Sequence, residues 1–138
     1  MTAIIEKLTW NSTWDLDIEP LDSEHREIVR LLNRVNDPND EAPLAERLSA
    51  LIDHLRRHFE TEETFMRSIG YPDRDEHCRE HRIQMAEFVD LHRSLSDSGS
   101  DPRVLEAGDR ESVKTWFFNH VVAEDKRFAA FYHQRDAS

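Results

Sequence analysis

The sequence predicts an all-α fold: an up-down-up-down four-helix bundle preceded by an extended N-terminal arm. Three observations predict it. Only three glycines and five prolines interrupt 138 residues, so strong stop signals are few. Charged residues make up 34% of the chain, which suits long helices with solvated faces rather than many short strands. Apolar residues recur at three- and four-residue steps in four separate blocks, the spacing of one helix face. Four helices joined by short-to-moderate loops pack most simply as an antiparallel bundle.

The elements follow in order. Residues 1–20 form the arm, which carries Trp10 and Trp14, and residues 21–134 form the bundle, all within one domain. The first helix is expected over 21–36, with Leu21, His25, Ile28, Val29, Leu32 and Val35 on one stripe. Asp37-Pro38-Asn39 ends it. The second is expected over 43–69, with Leu44, Leu48, Leu51, Leu55, Phe59, Phe65 and Met66 on its apolar side. Gly70-Tyr71-Pro72 supplies a stop and a turn. The third is expected over 73–95 and runs into the Ser/Gly/Pro loop at 94–102. Gly108 precedes the fourth, expected over 109–134, whose apolar content includes Val113, Trp116, Phe117, Val121, Phe128 and Phe131.

Composition excludes several function classes. The formal charge is -11, from 29 acidic and 18 basic residues. Such a surface repels nucleic acid and anionic lipid, and the arginines are scattered rather than gathered into a patch. A single cysteine, Cys78, permits no internal disulfide. No apolar stretch approaches the roughly 20 residues of a membrane span. The N-terminus lacks the charged and apolar regions of a secretory signal. A cytoplasmic protein is expected; the sequence does not set the oligomeric state, and a monomer is slightly preferred.

The chemistry lies in the histidines, of which there are eight. The first block has His25. The second has His54 and His58 followed by Glu62. The third has His77 and His81. The fourth has His120 followed by Glu124 and Asp125. Residues four apart share a helix face, so His58 with Glu62, and His77 with His81, each aim two donors the same way. Phe59 and Leu55 place these groups beside the core stripe. A lone histidine on such a face is ordinarily a hydrogen-bonded core residue. Four helices that each present donors call for more, because buried imidazoles and carboxylates without partners cost several kcal/mol. A metal centre satisfies many at once. Thiolates are nearly absent, which disfavours iron–sulfur clusters and structural zinc. Five histidines and two carboxylates exceed the needs of one ion, so two ions are implied, and di-iron sites occur in bundle cores.

The carboxylate partner of His120 is not decided by spacing. Glu124 lies four residues on, while Asp125 lies five residues on, about 140° around an α-helix.

At these residues the chain resembles the hemerythrin family in its single-domain bacterial form. The resemblance rests on Asp22-Ser23-Glu24-His25, on His58-Phe59-Glu60-Thr61-Glu62-Glu63, and on Tyr71-Pro72 leading to His77-Cys78-Arg79-Glu80-His81. It continues through Trp116-Phe117-Phe118-Asn119-His120 to Asp125. Trp10 and Trp14 look like the family's Trp-containing leading segment. The resemblance spans almost the whole chain.

It implies a role for each residue. His77, His81 and His120 would ligate one non-haem iron, and His25 and His58 the other. Glu62 and Asp125 would bridge them, together with an oxo or hydroxo group. Asp125 is preferred over Glu124 because it matches the family. Two octahedral irons offer twelve positions. Five histidines, two bridging carboxylates and one shared oxygen fill eleven, and the vacancy falls to the iron of His25 and His58. An open position separates a reactive site from a closed structural one. The resemblance then implies an oxygen carrier or store. Dioxygen would be held as hydroperoxide at the open iron and released by the reverse steps. The chain is not expected to be an enzyme, although a weak peroxidase-type side activity is compatible with the site. Two rivals stand beside this reading: an oxygen, iron or redox sensor, and a peroxide- or nitric-oxide-handling di-iron protein.

Phe59 and Trp116 match family pocket positions. Two residues depart from the family. Gln84 stands where Phe is common, and Phe117 stands where Leu is common. Gln84 is expected either to approach the open position, where it hydrogen-bonds the bound ligand or speeds autoxidation, or to rotate to the bundle surface. His54 matches no family ligand and is read as a polar group hydrogen-bonded within the bundle. Cys78 is expected to point away from the irons as a small packing residue.

Overall fold

A computed structural model describes residues 7–137. The first six residues of the expected arm lie outside the described residues. Four antiparallel rods form the bundle: α1 (Glu19–Val35), α2 (Leu44–Ile69), α3 (Arg74–Asp97) and a composite fourth rod. That rod consists of α4 (Ala107–Trp116), a π-helical segment (Phe117–Glu124) and α5 (Asp125–Ala137). Trp116 and Asp125, at the two joints, both keep right-handed helical dihedrals, so the rod is continuous.

α1 starts two residues before the expected point. Pro20 sits in its first turn, where the missing N–H would be unpaired in any case. Proline therefore opens this helix rather than ending the arm. Asp22 fastens the start: its buried carboxylate accepts from the N–H groups of Leu16 at 2.7 Å and Ile18 at 3.2 Å. α2 ends at Gly70 with φ 67 and ψ 39, the left-handed conformation that glycine adopts without steric cost. The Tyr71 N–H then bonds the Met66 carbonyl at 3.0 Å. α3 continues through Asp97 and absorbs the first part of the expected loop.

The arm is not wholly extended. Ser12–Trp14 form one 3₁₀ turn, capped by the Asn11 side chain. Trp14 packs edge-on against Trp10 at 5.4 Å and Phe117 at 5.3 Å. Asn33 of α1 pairs with both backbone groups of Leu8 at 2.8 Å, and His133 donates to the Leu16 carbonyl at 2.7 Å. The arm is thus bonded to both α1 and α5.

Two apolar clusters fill the bundle. The larger contains Ile28, Leu32, Leu48, Leu55, Phe59, Phe88 and Val121. The smaller contains Leu16, Leu21, Met66, Phe128 and Ala129. Each rod runs from one cluster to the other in alternating sense: Leu21 to Ile28 on α1, Leu55 to Met66 on α2, Cys78 to Phe88 on α3, Val121 to Phe128 on the fourth rod. Buried polar residues from all four rods gather where the two clusters meet and form a single layer across the core. Among the described residues, no helix is long and apolar enough to cross a membrane.

Candidate metal centre

The polar layer contains His25, His58, Glu62, His77, His81, His120 and Asp125, all buried. These are the seven donors singled out in the sequence, and the structure brings them together. They form two overlapping groups. One holds Glu62, His77, His81, His120 and Asp125, and the other holds His25, His58, Glu62 and Asp125. Within each group the donor atoms lie within 4.8 Å of one another.

The two carboxylates divide their oxygens between the groups. Glu62 Oε2 lies 3.1 Å from His25 Nε2 and 3.0 Å from His58 Nε2. Its other oxygen, Oε1, lies 3.1 Å from His81 Nε2 and 3.6 Å from His77 Nε2. Asp125 repeats the pattern, with Oδ2 3.0 Å from His25 Nε2 and Oδ1 3.1 Å from His77 Nε2. Metal–ligand bonds of roughly 2.1 Å at right angles would set neighbouring donors about 3.0 Å apart. Most of these separations, and the 3.0 Å between His81 Nε2 and His120 Nε2, have that size.

The layer also fails as a self-contained hydrogen-bond network. His58 Nε2, His77 Nε2, Glu62 Oε1 and both Asp125 oxygens are buried and make no hydrogen bond. Buried polar atoms in native proteins almost always have partners. An oxygen- and imidazole-binding cation supplies one for all of them. The donor set therefore fits a pair of metal ions, in which each carboxylate faces both poles.

Charge in the metal-free layer points the same way. Burial alone would raise the Glu62 carboxyl. The His58 charge and the close approach of the His120, His25 and His58 imidazoles outweigh burial and hold Glu62 well below its ordinary value. Burial alone would lower His58, but the nearby Glu62 charge and the hydrogen bond to Glu24 push it up to about 10. His77 is likewise raised to about 10 against burial by Asp125 and Glu62. Burial would lower His25, but the neighbouring Asp125 and Glu62 carboxylates outweigh it and raise this imidazole. These imidazoles hold protons in positions that cations would take, and metal binding releases such protons.

The π segment answers the spacing problem. A π turn bonds an N–H to the carbonyl five residues back, and the Asp125 N–H bonds His120 O. That turn stacks Asp125 below His120, so both reach the layer. In an α-helix Glu124 would take that place; here Glu124 lines an outer cleft.

Two carboxylates that sequence reasoning missed hold the rings in place. His58 Nδ1–H donates to Glu24 at 2.6 Å, and His81 Nδ1–H donates to Glu63 at 2.8 Å. Each bond fixes the tautomer that turns Nε2 inward. Both acids stand inside the quoted motifs, beside His25 and Glu62, but 29 acidic residues hide them. His54 does bond within the bundle, donating to the Glu24 carbonyl at 3.0 Å.

Aromatic rings cover the layer. Phe59 stacks on His81 at 4.0 Å and touches His120 at 5.6 Å and His58 at 6.1 Å. Trp116 stacks on His120 at 6.0 Å. Phe117 is fully buried and packs against Trp14 of the arm. Gln84 lines a cleft with His77 and His120, and that lining includes neither His25 nor His58. Gln84 lies seven residues after His77, two turns along the same face, which explains its position at the three-imidazole pole. Cys78 is half-buried beside the Met66–Phe128 cluster, and burial together with Glu63 pushes its thiol up.

Comparisons with known proteins agree with this geometry. A family model described as the hemerythrin HHE cation binding domain matches residues 16–132. A bacteriohemerythrin of Stenotrophomonas maltophilia is 26% identical over 128 residues, covering 88% of this chain and 79% of its own. A myohemerythrin of Theromyzon tessulatum is 28% identical over 125 residues, covering 91% and 93%. A crystal structure of wild-type hemerythrin superimposes with a TM-score of 0.77 at 25% identity, covering 89% of this chain and 95% of that one.

Proposed function

This chain belongs to the hemerythrin family, and on that premise we propose that it holds two non-haem irons with a bridging oxo or hydroxo group and binds dioxygen reversibly, as a carrier or store in the cytoplasm. The observation that carries the reading is the division of donors. Glu62 and Asp125 each turn one oxygen to His25 or His58 and the other to the trio of His77, His81 and His120.

In this reading His77, His81 and His120 would hold one iron, His25 and His58 the other, and Glu62 and Asp125 would serve both. The bound iron pair supplies reversible coordination of dioxygen and the two electrons that accompany it. The side chains do the rest. The pole with two imidazoles offers one protein donor fewer, which leaves room there for a small ligand. Phe59, against His58 and His81, keeps water from that room, and Trp116 closes the side of His120. Phe117 supports the wall from behind through its contact with Trp14. Glu24 and Glu63 hold their imidazoles in register, so little reorganisation accompanies binding. Neutral imidazoles outnumber carboxylates in the set, which suits holding dioxygen more than splitting it.

The test is a cycle of absorption spectra on iron-loaded protein. Reduced protein exposed to air is expected to gain charge-transfer bands that vanish on degassing and return on re-exposure. Bands that appear once and never reverse would contradict the carrier reading.

A further inference from the structure

The seven donors are not equally shielded. His25, His58, Glu62 and Asp125 are wholly buried, His120 and His81 nearly so, and His77 is the least covered at 5% exposed. The centre therefore comes nearest to solvent at its three-imidazole pole. A cleft of about 370 Å³ opens there between α3 and the fourth rod, and both His77 and His120 line it. Four other surface clefts have none of the seven donors in their lining.

Carboxylates ring this cleft. Asp73, Glu76, Glu80 and Glu124 line it against a single cation, Arg127, which stands 3.6 Å from Glu124. Their charge is felt at Tyr71 in the same lining, where burial and then Asp73 and Glu124 raise the phenol despite Arg127. A cleft of one sign focuses its field and raises the local concentration of the opposite ion. An acidic rim alone assigns nothing, but His77 gives this one a direction. Its ring lines the cleft, while its Nε2 lies in the layer, 3.1 Å from Asp125 Oδ1, and makes no hydrogen bond. One buried side chain thus reaches from the acidic space to the donors.

The geometry points to an entry route: ferrous ion is collected by Asp73, Glu76, Glu80 and Glu124 and passes into the layer beside His77, the first of the seven donors that it meets. A metal site needs an entry path as well as ligands. Carboxylates and imidazoles both serve ferrous ion as ligands in proteins, so the path replaces hydration water with donors of accepted kinds. The opposite pole offers no such approach, because His25 and His58 are fully buried. Both ions then enter at the three-imidazole pole. None of the four cleft carboxylates belongs to the layer, so they act on the rate of loading and not on the final occupancy. This inference rests on the iron-pair reading above.

The test mixes the metal-free full chain with ferrous ion under anaerobic conditions and follows tryptophan fluorescence by stopped flow. Trp116 stacks on His120, so a paramagnetic ion that arrives there quenches it, and iron per chain is measured after desalting. Glu76→Gln with Glu80→Gln is compared with Glu41→Gln with Glu46→Gln, which removes equal charge from exposed positions around the start of α2. The cleft variant is expected to load about tenfold more slowly than wild type in dilute buffer. High salt should close that gap, and both variants should end at two ions per chain. A cleft variant as fast as wild type, an equal slowing in the control, or a slowing that salt leaves unchanged would overturn the route. A wild-type chain that ends below two ions would overturn the iron-pair reading and the route with it.

Discussion

Arg47 and the seven-donor layer are both buried polar clusters in one bundle, and they are completed in opposite ways. Arg47 is almost fully buried at the end where α1 stops. Its guanidinium donates to the carbonyls of Arg34, Val35, Asp37, Ala42 and Arg103, at 2.6 to 3.3 Å. These acceptors include the last carbonyls of α1 and two loops, so one side chain caps a helix and joins three segments. Asp40 lies 3.8 Å away. That cluster is closed by the protein itself. The layer of His25, His58, Glu62, His77, His81, His120 and Asp125 is not: buried oxygens and nitrogens remain without hydrogen bonds. The same chain that finds five acceptors for one arginine leaves these atoms open. Completion from within marks a structural cluster, and incompletion marks a place for something the chain does not encode.

The largest effect that can break this contrast is expected at Glu62. Glu62→Leu removes one donor oxygen from each pole, so paired loading should be lost and metal analysis after dialysis should find at most one ion per chain. Two ions in that variant would contradict the division of oxygens. Next comes Arg47. Arg47→Met leaves several carbonyls without a donor and should cost about 3 kcal/mol of stability, read from urea unfolding. Metal content per folded chain should stay at the wild-type value, because Arg47 serves the other cluster. A drop in metal content without a loss of stability would merge the two regions.

Smaller effects sharpen the comparison. Glu24→Ala and Glu63→Ala free His58 and His81 to rotate. Each should weaken metal affinity tenfold to a hundredfold, measured by chelator competition, with little change in helix content by circular dichroism. The smallest effect is on pH dependence. In the metal-free protein His58 and His77 are raised to about 10. Their protonation therefore stabilises the fold fully below the ordinary histidine value of about 6.5 and loses that contribution as pH rises toward 10. The melting temperature of metal-free protein should fall between pH 7 and pH 10. Loaded protein should not show that fall, since metal has displaced the protons. Parallel curves for the two forms would argue against metal at these imidazoles.

Much of this was legible in the sequence because it depends on local spacing. Helical stripes, the Gly70 stop and the four-residue steps of His58–Glu62 and His77–His81 each concern one helix at a time, and the family resemblance joined them. The π segment was not legible by the same logic. An α-helical reading put Asp125 about 140° from His120 and left Glu124 and Asp125 open until the resemblance chose Asp125; the wider turn is what reconciles the five-residue step. Arg47 was not singled out by the sequence. Its signal was present, since Arg47 falls between Leu44 and Leu48 on the buried stripe of α2, but nothing in one helix shows the carbonyls that converge from α1 and two loops. Gln84 could be placed on a face of α3, yet the pole it borders depends on how α3 packs against the fourth rod.

The most direct test of the central claim is an anaerobic titration of metal-free protein with ferrous ion, followed by the paramagnetic shifts of the imidazole protons. The account predicts a break at two ions per chain, with resonances of His25 and His58 shifting as well as those of His77, His81 and His120. A break at one ion, with either set of imidazoles unaffected, would contradict it.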